Sequence, residues 1–181
     1  MKKQLCFLLA GLFVMLASGV SAKDITFLPS EFTAVSNSDY SLTKEGVTMS
    51  VTSSTVTDSQ FRIFKNQSIT FSSTSAPLTK IVFTCTANGT ANYGPGNFAS
   101  NSGYTFEADG KVGTWKGFAS TLTLTAEAAQ MRATKIVVTT GIETLDDFLE
   151  RVNLDTPMGK SVYAKAKNLV DRANEANLKN S

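Results

Sequence analysis

The sequence predicts an all-β protein: an antiparallel β-sandwich of the jelly-roll kind with a short C-terminal helical appendage. Three observations carry this expectation. Between Lys23 and Thr140 there are 15 Ser and 21 Thr among 118 residues, and threonine, branched at Cβ, suits a pleated surface. Apolar residues alternate with polar ones in short runs between turn-forming residues. Beyond Gly141 the alternation gives way to helical spacing. Three segments follow: a leader (1–22), a sandwich domain (23–140) and a helical tail (141–181).

The leader reads as a secretory signal peptide. Lys2 and Lys3 make its charged start, Leu5 to Leu16 its apolar stretch, and Val20-Ser21-Ala22 its small-residue cleavage site. Gly11 interrupts the apolar run and Ser18-Gly19 ends it, short of the roughly 20 residues a spanning helix needs. Lys23, not a cysteine, follows the cleavage point, so a lipid anchor is not expected. No other segment is apolar enough to cross a membrane. The expected destination is export: periplasm, cell surface or medium. Cleavage removes Cys6 and leaves Cys85 alone, which excludes a disulfide within the mature chain. Cys85 sits in the β-like run Lys80–Ala87, where a thiol behaves as a small hydrophobe.

Strands follow in order. Val47, Met49 and Val51 alternate with Thr48, Ser50 and Thr52, one set facing inward and one facing water. Phe61 and Ile63 repeat the pattern, and Ile69 and Phe71 resume it after a Lys65-Asn66-Gln67 turn. Ile81-Val82-Phe83 is apolar on both faces, as for a strand covered on both sides. Tyr104 and Phe106 precede Asp109-Gly110, a hairpin signal, and Val112 to Phe118 returns. Leu122, Leu124 and Ala126 alternate again, and Lys135 to Thr140 closes the series. About eight or nine strands at such spacing point to a sandwich. Leu78–Thr84 and Ala133–Thr139 match at five of seven positions, and two such strands belong side by side or in corresponding sheets.

In the tail, Thr144-Leu-Asp-Asp147 resembles a capping box before Leu145, Phe148, Leu149 and Val152 at helical spacing. Thr156-Pro157 suits a second helix start, with Val162, Ala166, Leu169 and Ala173 forming a narrow stripe. Such a helix docks on the sandwich, pairs with the preceding helix, serves as a stalk to something else, or stays a solvated appendage.

Charge and composition exclude several functions. There are 17 Lys and Arg against 15 Asp and Glu, and setting aside Lys2 and Lys3 leaves 15 of each. A neutral chain without a basic cluster is not expected to bind nucleic acid. Histidine is absent, which removes Ser-His and Cys-His nucleophiles and histidine metal sites. No phosphate-cradling or dinucleotide motif occurs, and no CxxC.

Two constellations carry chemistry. Glu107 and Asp109 flank Ala108 at a strand end, a pair that suits a turn with a solvated carboxylate, a calcium site, or the two carboxylates of a glycosidase. The segment Asn88–Gly103 is long and irregular, with Tyr93 and Phe98 among Asn92 and Asn97. Rings flanked by amides match the C–H faces and hydroxyl edges of sugars. Equally, those rings fold under the loop as its own small core. Trp115 alternates with Thr114 and Lys116, and Gly113 and Gly117 leave room for a ring that serves as platform or as core. The remaining phenylalanines, Phe64 and Phe118 among them, are expected in the core.

Phe61-Arg-Ile-Phe-Lys-Asn66, Ile81-Val-Phe-Thr-Cys-Thr86, Tyr93-Gly-Pro-Gly-Asn-Phe98, Val112-Gly-Thr-Trp115 and Gln130-Met-Arg-Ala-Thr-Lys-Ile136 together resemble a β-sandwich module of secreted and surface proteins of the Bacteroidetes type. The resemblance spans about residues 45–140 and implies an accessory, non-catalytic role in binding or adhesion. No site residues come with it.

The leading expectation is an exported module that binds glycan or another surface polymer without turning it over. Tyr93, Phe98, Tyr104 and Trp115 would stack, and Asn92 and Asn97 would hydrogen-bond. No cofactor is expected beyond a structural calcium at Glu107 and Asp109. The alternatives are an interaction module whose helical tail binds a partner, and a hydrolase using carboxylates alone.

Overall fold

The computed structural model describes residues 22–36 and 38–141, together with Ala164 and Asn168. The expected leader and, apart from those two residues, the expected tail helices lie outside the described residues. The chain divides into two compact units after Gly141. In the second unit Ala164 and Asn168 are helical and exposed.

The first unit is all-β. Its strands are β1 (Lys23–Phe27), β2 (Ala34–Ser36), β3 (Asp39–Lys44), β4 (Val47–Val51), β5 (Thr55–Val56) and β6 (Phe61–Ile63). They continue with β7 (Ser68–Ser73), β8 (Leu78–Cys85), β9 (Tyr104–Phe106), β10 (Val112–Ala119), β11 (Thr121–Thr125) and β12 (Met131–Thr140). Two single 3-10 turns, Pro29–Glu31 and Pro95–Phe98, interrupt them.

The strands form two antiparallel sheets. One runs β5-β6-β12-β8-β10-β9, and β1 also pairs with β12; the other runs β11-β7-β4-β3-β2. The ten-residue β12 is long enough for β6 to pair with Met131–Ala133 and β1 with Ile136–Thr140 along the same edge. Alternation explains what holds the sheets together. Val47, Met49 and Val51 are buried while Thr48 and Ser50 are not, and β7 repeats this with Ile69 and Phe71. The buried side chains of both sheets make one core. Phe71 of one sheet packs edge-on against Phe83 of the other at 6.0 Å, a favoured geometry for rings.

The outer face of the five-stranded sheet is a grid of hydroxyls. Thr43 pairs with Thr48 at 2.8 Å, Ser41 with Ser50 at 3.2 Å, Thr70 with Thr123 at 3.0 Å and Ser68 with Thr125 at 2.9 Å. The Ser/Thr excess is therefore cross-strand surface pairing.

Several expectations change. Twelve strands exceed the eight or nine anticipated, because β1 to β3 precede the first run recognised and β5 has only two residues. Val82 and Val137 are half-buried, so the outer side of β8 is not fully covered. Phe64 and Phe118 are 41% and 44% exposed rather than core. Phe64 lies just beyond β6 at the Lys65-Asn66 turn, and Phe118 shares the outward parity of Val112 and Lys116.

Candidate functional site

The Asn88–Gly103 segment is held down from several sides. The Gly96 amide donates to the Gly89 carbonyl at 2.8 Å, and the Gly89 amide donates to the Gly110 carbonyl at 2.8 Å. A Cβ at Gly94 would clash with the Gly89 carbonyl oxygen, so only glycine permits this approach. Asn97 is 1% exposed, and its Nδ2 donates to the carbonyls of Ala91 (3.0 Å), Gly94 (3.0 Å) and Gln130 (3.2 Å). Asn101 ties the loop to β11, donating to the Thr125 carbonyl at 3.0 Å and accepting from the Thr125 amide at 3.0 Å.

The loop's rings mostly serve the core. Phe98 has no exposed surface and meets Phe83 at 5.4 Å and Tyr104 at 5.7 Å. Tyr104 and Trp115 are 7% and 5% exposed, and Trp115 Nε1 donates to the Ser102 carbonyl at 3.1 Å. A ring without exposed face offers a ligand nothing to stack on. Phe98, Tyr104, Trp115 and Asn97 are thus corrected from ligand contacts to structural residues. Parity is the reason for two of them: Tyr104 and Trp115 are cross-strand partners on the inward side of β9 and β10. Cys85 is also buried, and burial pushes its thiol up to about 12, far from the ionised form that nucleophilic chemistry requires.

Asn92 is exposed and Tyr93 half-buried, and these two stay at the surface. Tyr93 is held at φ +77°, a left-handed conformation uncommon for an aromatic residue. Its amide donates to the Gln130 carbonyl at 2.8 Å, and the Arg132 amide donates to its carbonyl at 3.3 Å. The Arg132 guanidinium lies 3.6 Å from the Tyr93 ring centroid, a cation–π contact.

Arg132 faces Arg62 directly across the β6–β12 pair. Burial of Phe61 and Ile63, and of Met131 and Ala133, turns both arginines to the outer face. Each is held by the glutamine two residues earlier, which shares its face. Gln60 Oε1 accepts from Arg62 Nε at 3.3 Å, and Gln130 Oε1 accepts from Arg132 Nε at 3.2 Å and Nη2 at 3.1 Å. The ion pairs among the described residues, Lys23–Glu45 and Lys44–Glu31, involve neither arginine. Asp58 and Glu127, exposed in neighbouring segments, do not pair with them either. Tyr93 and Arg132 are thus in contact, and Arg62 stands opposite Arg132 on β6. The sequence marks both arginines with one tripeptide, Gln-x-Arg with apolar x, at 60–62 and 130–132, which the reading of aromatic and acidic residues does not include.

Glu107 and Asp109 are exposed, and the turn between them closes through the Gly110 amide on the Glu107 carbonyl at 3.1 Å. Among the described residues no three acidic or cysteine side chains gather as a metal-binding group. Glu107 lines a shallow hollow with Thr105, Phe106, Val112 and Thr114, where it is the single carboxylate.

Compared with known protein families, curated proteins and solved structures, the chain matches none. Fold and site geometry carry the functional reading by themselves.

Proposed function

We propose that this protein is an exported, non-catalytic module that binds a glycan or another cell-surface polymer on the outer face of its seven-stranded sheet. One observation carries the reading: Tyr93 is a surface aromatic fixed in advance, by backbone bonds on both sides and by the Arg132 guanidinium against its ring. A ring that is already immobile loses little freedom when a sugar stacks on it. Asn92 and Gln130 supply amides beside it, the donors and acceptors that sugar hydroxyls need. The jelly-roll class belongs to the same proposal, supported by the pairing of β1 with β12, which makes the ends of the sandwich neighbours.

The test is affinity electrophoresis of the exported protein through gels carrying plant, host or bacterial polysaccharides. Retardation that Tyr93→Ala abolishes, with the fold retained, supports this reading. Free migration through every gel overturns it. A second reading, a protein-interaction module acting through residues 141–181, draws on the division of the chain after Gly141 and the exposure of Ala164 and Asn168. The carboxylate-only hydrolase is less favoured, because two carboxylates must flank the scissile bond and Glu107 stands alone in its hollow.

A further inference from the structure

The arginine pair specifies what kind of polymer this face takes. We infer that Arg62 and Arg132 each offer a guanidinium to an oxyanion group, carboxylate or sulfate, of an acidic polysaccharide whose sugar ring packs beside Tyr93. This inference rests on the polymer-binding reading above and names its ligand class.

Like charges directly opposite across an antiparallel pair oppose folding, yet the larger sheet holds two such pairs, Arg62–Arg132 and Lys80–Lys116. On the other sheet the corresponding outward cross-strand pairs are hydroxyls, such as Ser41–Ser50 and Thr70–Thr123. At Arg62 and Arg132 two arginines instead face each other, and among the described residues neither has an acidic partner. Their holders are chosen accordingly. Gln60 and Gln130 are neutral, so they fix each guanidinium while leaving its charge intact. They also leave donors over: among the described residues no protein acceptor takes Arg132 Nη1, Arg62 Nη1 or Arg62 Nη2. In this antiparallel register Gln60 and Gln130 lie toward opposite ends of the strand pair, so they hold the two guanidinium groups apart, as two anion-binding points along one polymer chain. Guanidinium binds oxyanions through paired N–H donors. Lys135, exposed further along β12, adds positive charge on the same strand.

The experiment titrates the exported protein with a polyuronate, a sulfated glycan, a neutral glucan and poly-glutamate at fixed moderate salt. Binding is measured by calorimetry for wild type, Arg62→Gln, Arg132→Gln, Arg132→Lys and the control Lys111→Gln. The expected result is binding to an acidic glycan, at least tenfold weaker in either glutamine variant, weakened in Arg132→Lys, and unchanged in Lys111→Gln. The polyuronate and sulfated arms decide which oxyanion is preferred. Thermal melting of each variant confirms that the fold persists, and Arg132→Lys keeps the test decisive should a glutamine variant unfold. Binding to neutral glucan that the arginine substitutions leave unchanged overturns this inference and spares the polymer-binding reading. Poly-glutamate bound as tightly as any glycan overturns it in favour of an acidic protein partner. No binding to any polymer overturns both.

Discussion

Val82 and Val137 stand opposite each other across β8 and β12, and they occupy the same place in the two copies of the sequence echo. Copies related by a constant offset coincide at one pair when antiparallel, and here that pair is central. Around it Ile81 faces Val138 and Phe83 faces Ile136, all four buried, while the two valines point outward and are half-exposed. Slippage by one residue would turn this whole set to the wrong side. The echo is therefore a register device at the middle of the larger sheet.

That division predicts unequal mutational costs one residue apart. Phe83, fully buried against Phe71, Phe98 and Tyr104, should lose about 3–5 kcal/mol on Phe83→Ala. Val82→Thr, outward and still β-branched, should cost about 1 kcal/mol or less. Urea denaturation of both variants checks the contrast, and equal losses would refute the assignment of faces.

Tyr104 carries a buried hydroxyl with no hydrogen-bond partner among the described residues, pressed against Gly113, where an added Cβ would overlap the hydroxyl oxygen. Leaving a polar group buried and unpaired costs about 1–3 kcal/mol. Tyr104→Phe should therefore stabilise the fold, by about 1 kcal/mol. Gly113→Ala should destabilise it by about 1–3 kcal/mol through overpacking. Opposite shifts in melting midpoint are the expected readout.

How much was legible follows from which signals are local. The alternating triplets in β4, β6 and β7 state their own inward faces, and the Asp109-Gly110 turn states its own geometry. β3 is half-buried along nearly its whole length, so it has no sharp two-residue period to read. The aromatic loop looked like a platform because a ring beside glycines has one signature for two uses. Only the pairing of Trp115 with Tyr104, and of both strands with the core, decides that those rings face inward. Arg62 and Arg132 were illegible as a pair for a plainer reason. They lie on strands far apart in the chain, and a non-local register brings them together.

Asn97 separates an amide from a carboxylate with unusual force. Its Nδ2 serves three backbone carbonyls while its Oδ1 is buried without a partner among the described residues. Asn97→Asp replaces the donor with an acceptor facing carbonyl oxygens, an uncompensated buried charge. A loss of about 3–5 kcal/mol at pH 7 follows, easing as the pH falls and the carboxyl protonates. Melting curves at pH 4 and pH 7 should show the variant's deficit shrinking in acid. A deficit that does not depend on pH would mean that the new carboxyl escapes to solvent.

Alkaline solution should unfold the protein through Cys85 and Tyr104. Burial raises the Cys85 thiol from 9.0 to about 12, and burial, with Cys85 nearby, raises the Tyr104 hydroxyl well above its usual 10.0. Both acids are held neutral in the folded chain and ionise earlier in the unfolded one. Their contribution is thus fully present below pH 9 and lost as pH rises toward 12. Each group limits the slope to about 1.4 kcal/mol per pH unit. Cys85→Ala removes the first of these groups, so its stability should fall less steeply than wild type between pH 9 and pH 10. Tyr104→Phe should separate from wild type above pH 10, where the unfolded phenol begins to ionise. The same burial makes native Cys85 slow toward thiol reagents at pH 8, with full reaction on addition of denaturant. Rapid labelling of the native protein would place the thiol at the surface and remove the basis of the alkaline effect.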